Sequence, residues 1–234
     1  PDRALPDPLL LDNLQRLSEL EGVDVHVVSG RRREDLEAWF SELALTLHGE
    51  HGVWKRPHDS KTWISMIEES RSVKERLLPL ARKASEETPG SFVEEKTFGL
   101  SWHHRLSDPQ LARERGRKLQ DEIMKELGDA VVVIHGKEVI EFQPAEVSKG
   151  AVARSVAEDH PDQLVVAMGD DISDEDMFRC LGERHISMHV GSGRTAADIS
   201  VRGVESIRRF LGKFIDYRHL VRDDLQGGRS TQWT

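Results

Sequence analysis

Apolar positions along the chain switch between two periods, and the switches predict its elements. After a proline-rich, extended opening at Pro1, Leu9, Leu10, Leu11, Leu14, Leu17 and Leu20 recur at helical spacing. Val23, Val25, Val27 and Val28 then read as a strand that stops at Ser29-Gly30-Arg31, and residues 34–45 return to helical spacing. Strand, polar tip and helix make half of a parallel α/β layer. A second short strand begins at Leu45 and ends near Glu50-His51-Gly52.

The pattern then changes character. Residues 60–86 predict a helix, 93–105 a strand, 109–127 a long charged helix, and 130–142 a hairpin turning at Gly136-Lys137. This order breaks the alternation, so residues 57–144 read as a small α+β unit inserted into a larger layer built from 1–56 and 145–234. Alternation resumes with a helix at 148–158, a strand at 164–168, a helix at 174–182, a strand at 185–190 and a helix at 204–216. Gly227-Gly228-Arg229-Ser230-Thr231 reads as a frayed tail. The predicted class is α/β, a Rossmann-like core carrying an α+β cap.

Composition narrows the function classes. With 234 residues, 37% apolar and 32% charged, the chain has the profile of a globular domain rather than of a disordered one. The net charge of −9 gives no basis for nucleic-acid binding, and Arg31, Arg32 and Arg33 are too few to form a basic patch. No window is apolar enough to predict a membrane span. A single cysteine, Cys180, allows no intrachain disulfide and predicts a cytoplasmic setting; it follows a helical run and reads as a buried thiol.

The chemistry gathers at strand tips. Leu164 to Met168 form an apolar run, read as a strand buried on both faces, which ends at Gly169-Asp170-Asp171 with Asp174, Glu175 and Asp176 close behind. Crowded carboxylates favour a counter-cation, and an oxygen-only set suits Mg²⁺. The plainer alternative is a helix start with Ser173 as N-cap, which accounts for Asp174 to Asp176 but not for Asp170 and Asp171. Ser29 and Gly30, at a turn before a helix, can cradle phosphoryl oxygens with a hydroxyl and free N–H groups; Lys149 adds a positive charge. Together these features predict a phosphate-plus-metal site.

Ser29, Lys149 and Gly169-Asp170 to Asp174 resemble the second, third and fourth motifs of the haloacid dehalogenase superfamily of phosphohydrolases. Within it, Val28-Ser29-Gly30-Arg31, Glu50-His51-Gly52, Val93-Glu94-Glu95-Lys96-Thr97, His103-His104-Arg105, Val139-Ile140-Glu141 and Gly169 to Glu175 are similar, in order, to the trehalose-6-phosphate phosphatases. The resemblance implies Mg²⁺-dependent hydrolysis of trehalose 6-phosphate through an aspartyl-phosphate, and fusion or association of this domain with a trehalose-phosphate synthase is the expected partnership. It implies that Ser29 and Lys149 hold the phosphoryl group, and that Asp170, Asp171 and Asp174 serve the metal. Gly30 would bind substrate beside Ser29; Arg31, Glu50 and His51 would approach the sugar from the core, and Lys96, His103, Arg105 and Glu141 from the cap. Lys96 and Arg105 also read as ordinary surface charges, and strand alternation turns only one of His103 and His104 toward a cleft.

The superfamily's first motif, Asp-x-Asp-Gly-Thr on the first core strand, is absent from these 234 residues. Its first aspartate is the nucleophile and its second the general acid and base. Pro1 to Pro8 resembles the linker that follows that strand, so the expectation is that the chain starts just downstream of its catalytic residue. The rival readings are a non-catalytic regulatory domain that binds a sugar phosphate, and a phosphatase for another sugar phosphate such as sucrose 6-phosphate.

Overall fold

In the computed structural model, residues 5–67 and 71–226 are described; the expected frayed tail and the opening at Pro1 lie outside them. The chain runs α1 (Pro8–Ser18), β1 (His26–Val28), α2 (Arg33–Phe40), β2 (Thr46–Gly49), β3 (Trp54–Arg56), β4 (Ile64–Ser65), α3 (Arg71–Glu86), β5 (Phe92–Glu95), β6 (Leu100–His103), α4 (Pro109–Leu127), β7 (Val131–Gly136), β8 (Val139–Pro144), α5 (Lys149–Asp159), β9 (Val166–Gly169), α6 (Glu175–Cys180), β10 (Ile186–Val190), β11 (Ile199–Val201) and α7 (Val204–Gln226). Helix starts follow local chemistry. Asp7 accepts from Leu10 N–H ahead of α1, Asp108 from Gln110 and Leu111 N–H ahead of α4, and Ser148 from Ala151 N–H ahead of α5.

The strands form three sheets. One has the order β1-β2-β3-β4, with β1 and β2 parallel; a second, all parallel, has the order β11-β10-β9; the third, antiparallel, has the order β5-β6-β8-β7 and belongs to the cap. The α/β core with an inserted α+β cap is therefore present, with differences of detail. Because β3 and β4 turn back antiparallel and stay on the core sheet, the core runs on to Ser65 rather than ending at 56. Residues 93–105, expected as one strand, form the antiparallel pair β5 and β6, because Lys96 N–H reaches Gly99 O at 3.1 Å and closes a turn. The hairpin loop falls on Lys137-Glu138, with Glu138 at φ +62°.

The cap has its own apolar core. Leu77, Leu100, Trp102, Leu119, Ile123 and Phe142 are fully buried between α3, α4 and the cap sheet. In the main domain, Leu36, Phe40, Leu45 and Leu47 pack α2 on β2, while Ala153, Ala167, Met177 and Phe178 pack α5 and α6 on β9.

The strand ending at Gly169 is not buried on both faces: Leu164 is 58% and Val166 38% exposed. β9 pairs with β10 and β1 with β2, and between them lies a slot of about 190 Å³ lined by Asp24, His26 and Val28 on one side, by Leu164 to Met168 on the other, and by Val152 and Val156 of α5. Two parallel ladders thus end at unpaired edges that face the same cavity.

Candidate active site

The tip of β1 is held by the turn that follows β2. Ser29 N–H donates to His48 O (3.0 Å), His51 N–H to Ser29 O (2.8 Å) and Glu50 N–H to Arg31 O (2.9 Å), so the two segments brace each other. Glu50, His51 and Gly52 all have positive φ, at 48°, 60° and 112°. Two non-glycine residues in this region are uncommon, and the bracing bonds offset the strain. Gly30 is required by contact rather than by dihedral: a Cβ there would lie 2.4 Å from His51 Nε2. The Ser29 hydroxyl accepts from Arg31 N–H at 3.2 Å, and the Arg31 guanidinium lies over the Trp39 ring at 4.6 Å.

Across the slot, Lys149 opens α5 and is buried with its partner. Its Nζ donates to Asp174 Oδ1 at 2.6 Å, while Asp174 Oδ2 accepts from the N–H groups of Asp170 and Asp171, each at 2.9 Å. Gly169 lets Asp174 approach so closely, since a Cβ there would meet Asp174 Cγ at 2.3 Å. Both Asp174 oxygens are thereby engaged, and its carboxylate works as an anchor for Lys149 and for the strand tip. Asp171 accepts from Ile172 N–H at 2.8 Å and caps the short 3-10 turn Ile172–Asp174; Ser173 caps nothing and its buried hydroxyl has no partner. Asp170 is exposed and faces the cleft.

The cap supplies the opposite wall. Strand alternation on β5, β6 and β8 turns Glu94, Lys96, Ser101, His103 and Glu141 toward the core, while His104 turns away to pack on buried Trp102. Lys96 Nζ donates to Glu141 Oε2 (2.8 Å) and to Gly30 O (3.2 Å); the same Glu141 oxygen lies 3.1 Å from His51 Nε2. Burial alone would raise the Glu141 carboxyl, but the His51 bond and the Lys96 charge hold it down at about 2. His103 Nε2 lies 2.8 Å from Glu94 Oε2, a bond that also keeps Glu94 below the usual carboxylate range.

These groups share one cleft of about 610 Å³. Of the residues expected from sequence, Ser29, Gly30, Arg31, His51, Lys96, His103, Glu141, Lys149, Asp170, Asp171 and Asp174 line it. Glu50 and Arg105 do not. Both Glu50 oxygens are taken by Thr97, and Arg105, exposed at the far end of β6, pairs with Glu138 at 3.2 Å. Glu94, Ser101, Arg32 and Asp35 line the cleft without having been anticipated. Alternation could have found the first two, since Glu94 shares a strand face with Lys96 and Ser101 with His103. No group of three His, Cys, Asp or Glu among the described residues is arranged to hold a metal. Asp170 offers a free carboxylate of the hard, oxygen-donor kind that Mg²⁺ takes, with Asp171 beside it, so these residues fit part of a magnesium shell.

The trehalose-phosphatase family model matches residues 1–206. The chain is 33% identical over 212 residues to a bifunctional trehalose-6-phosphate synthase/phosphatase of Thermoproteus tenax, covering 90% of this chain and 29% of that protein. It is 32% identical over 190 residues to a trehalose-phosphatase of Schizosaccharomyces pombe, covering 77% of this chain and 23% of that one. It therefore spans less than a third of the length of these curated relatives. Among solved structures, the C-terminal domain of Candida albicans trehalose-6-phosphate phosphatase superposes with a TM-score of 0.81 at 26% identity, over 92% of this chain and 86% of that one. With the family model matching most of its length, and relatives above 30% identical over more than two thirds of it, the chain belongs to the trehalose-phosphatase family.

Proposed function

We propose that this domain is a Mg²⁺-dependent phosphatase that releases phosphate from trehalose 6-phosphate. The observation that carries the reading is the meeting of two unlike walls in one cleft: Ser29, Gly30 and Lys149 on the core, and Glu94, Lys96, Ser101, His103 and Glu141 on the cap. The first wall suits a phosphoryl group, offering a hydroxyl, N–H donors and an ammonium. The second suits a sugar, which presents many hydroxyls and little charge; the unpartnered Ser101 hydroxyl and the shared proton donors around Glu141 leave positions for a polyol to fill. When bound, Mg²⁺ would be held by Asp170, with Asp171 nearby, and would offset phosphoryl charge. Asp174 keeps the Lys149 ammonium aimed into the cleft.

The nucleophile is the part these residues lack. We infer that it rides on a strand seated in the slot between β1 and β9. Both edges are unpaired and both neighbours run parallel, so one inserted strand would bond on two sides, and its carboxyl end would emerge between Ser29 and Asp170. A carboxylate there would attack phosphorus while the first motif's second aspartate, protonated, gives its proton to the departing sugar oxygen; water, giving a proton back to that aspartate, would then hydrolyse the acyl phosphate. We also propose that the domain works fused to, or beside, a trehalose-phosphate synthase, a pairing that the name of the Thermoproteus tenax relative describes for that protein.

The test is phosphate release from trehalose 6-phosphate with magnesium, comparing residues 1–234 alone with a chain in which a strand bearing Asp-x-Asp-Gly-Thr precedes residue 1. Release by the second and not the first supports the reading. Silence in both overturns it, and faster turnover of sucrose 6-phosphate reassigns the substrate.

A further inference from the structure

We propose that Glu50 is a positioning residue: it docks the Lys96-Thr97 turn of the cap onto the core and so fixes where the Lys96 ammonium stands over the cleft. The ligand side of this inference rests on the phosphatase reading above. Glu50 is only 4% exposed and makes no approach to the cleft. Its Oε2 accepts from Thr97 N–H at 2.7 Å and its Oε1 from the Thr97 hydroxyl at 2.8 Å, while that hydroxyl accepts from Trp54 Nε1 at 2.9 Å. A buried carboxylate is tolerated only when its oxygens are satisfied, and here a single cap residue satisfies both.

The consequence passes one residue along the chain. Fixing the Thr97 peptide fixes Lys96, whose Nζ then reaches Gly30 O and Glu141 Oε2. An ammonium has three donors, so one remains to meet a sugar oxygen. Glu50, Thr97, Lys96, Glu141 and His51 form a closed circuit that crosses the boundary between core and cap twice, at Glu50–Thr97 and at His51–Glu141. The positive φ of Glu50 and His51 gives the circuit its shape, because these adjacent residues must each reach a different cap strand or turn.

The experiment titrates trehalose 6-phosphate, and separately inorganic phosphate, into the protein, Glu50→Gln, Thr97→Val and Thr97→Ser by calorimetry. In parallel, the Trp54 indole N–H resonance, assigned with Trp54→Phe, reports the dock without any ligand. A Gln amide cannot accept with its nitrogen, and Val has no hydroxyl. Both variants are expected to shift the indole resonance and to weaken trehalose 6-phosphate about tenfold, with phosphate affinity changed by less than about twofold. Thr97→Ser restores both readouts. An unmoved resonance overturns the dock, and a moved resonance with unchanged sugar-phosphate affinity overturns the positioning role. Should the unaltered protein bind phosphate but not trehalose 6-phosphate, the substrate reading falls while the resonance still judges the dock.

Discussion

At the scale of single residues the cleft is built from charges whose partners leave little choice of substitution. Asp174 has the buried Lys149 ammonium 2.6 Å from one oxygen and two N–H groups on the other. Asp174→Ala strands a buried charge and two donors, and is expected to cost about 3–5 kcal/mol in denaturant unfolding, whereas Asp174→Leu combined with Lys149→Met strands only the two donors, costs less and abolishes phosphate binding. Glu141 makes a prediction in pH. Its folded-state value of about 2 lies below the 4.5 of a free glutamate, so the unfolded chain binds the extra proton between these values. The stability it contributes, roughly 3 kcal/mol at most, is complete above pH 4.5 and lost as pH falls toward 2. Comparing wild type and Glu141→Gln at pH 6 and pH 3 should show the gap between them closing in acid.

At the scale of elements, adjacent β1 and β2 put His26 and His48 side by side, with Nδ1 of one 3.1 Å from Nε2 of the other and the rings stacked at 5.4 Å. Burial, then the neighbouring His26 and Lys55, lowers His48 to about 3, so it is neutral in the folded protein and takes up a proton only on unfolding below its ordinary 6.5. Stability is therefore full above pH 6.5 and declines as pH falls toward 3; in His48→Leu the slope of unfolding free energy against pH over that window should flatten. Most of these elements were legible from periodicity and capping. Helical leucines marked α1, and the valine run marked the strand before Ser29. The failures share a physical cause. The pair β5–β6 turns within residues 96–99 on a hydrogen bond, and β3 and β4 pair across residues 57–63; hydrophobic spacing encodes neither. The burial of β9 was misjudged because apolar composition does not reveal whether a neighbouring strand is present. In the site, where Ser29, Lys149 and Asp170 all line one cleft, their placement at strand tips and a helix start was readable. The anchoring roles of Glu50 and Asp174 were not, since a carboxylate looks the same whether it meets solvent, metal or main-chain N–H.

For the whole molecule, the decisive property is that its core sheet is divided by the slot between β1 and β9. Unpaired ladder edges exchange amide protons readily and recruit strands. In residues 1–234 alone, the amides of β1 and β9 whose N–H groups point into the slot should exchange with deuterium faster than those of β10. A chain with an inserted strand ahead of residue 1 should protect both edges together and raise the melting temperature. Protection of one edge without the other would reject insertion between them. The cap stands apart from this division. Its apolar interior is assembled from α3, α4 and its own sheet, and the chain passes into and out of it once each. Such a unit is portable as a fold but not as a binding face: grafted as a block onto another scaffold it should keep its interior, while Lys96 and Glu141 would lose the Glu50, His51 and Gly30 contacts that stay behind with the core.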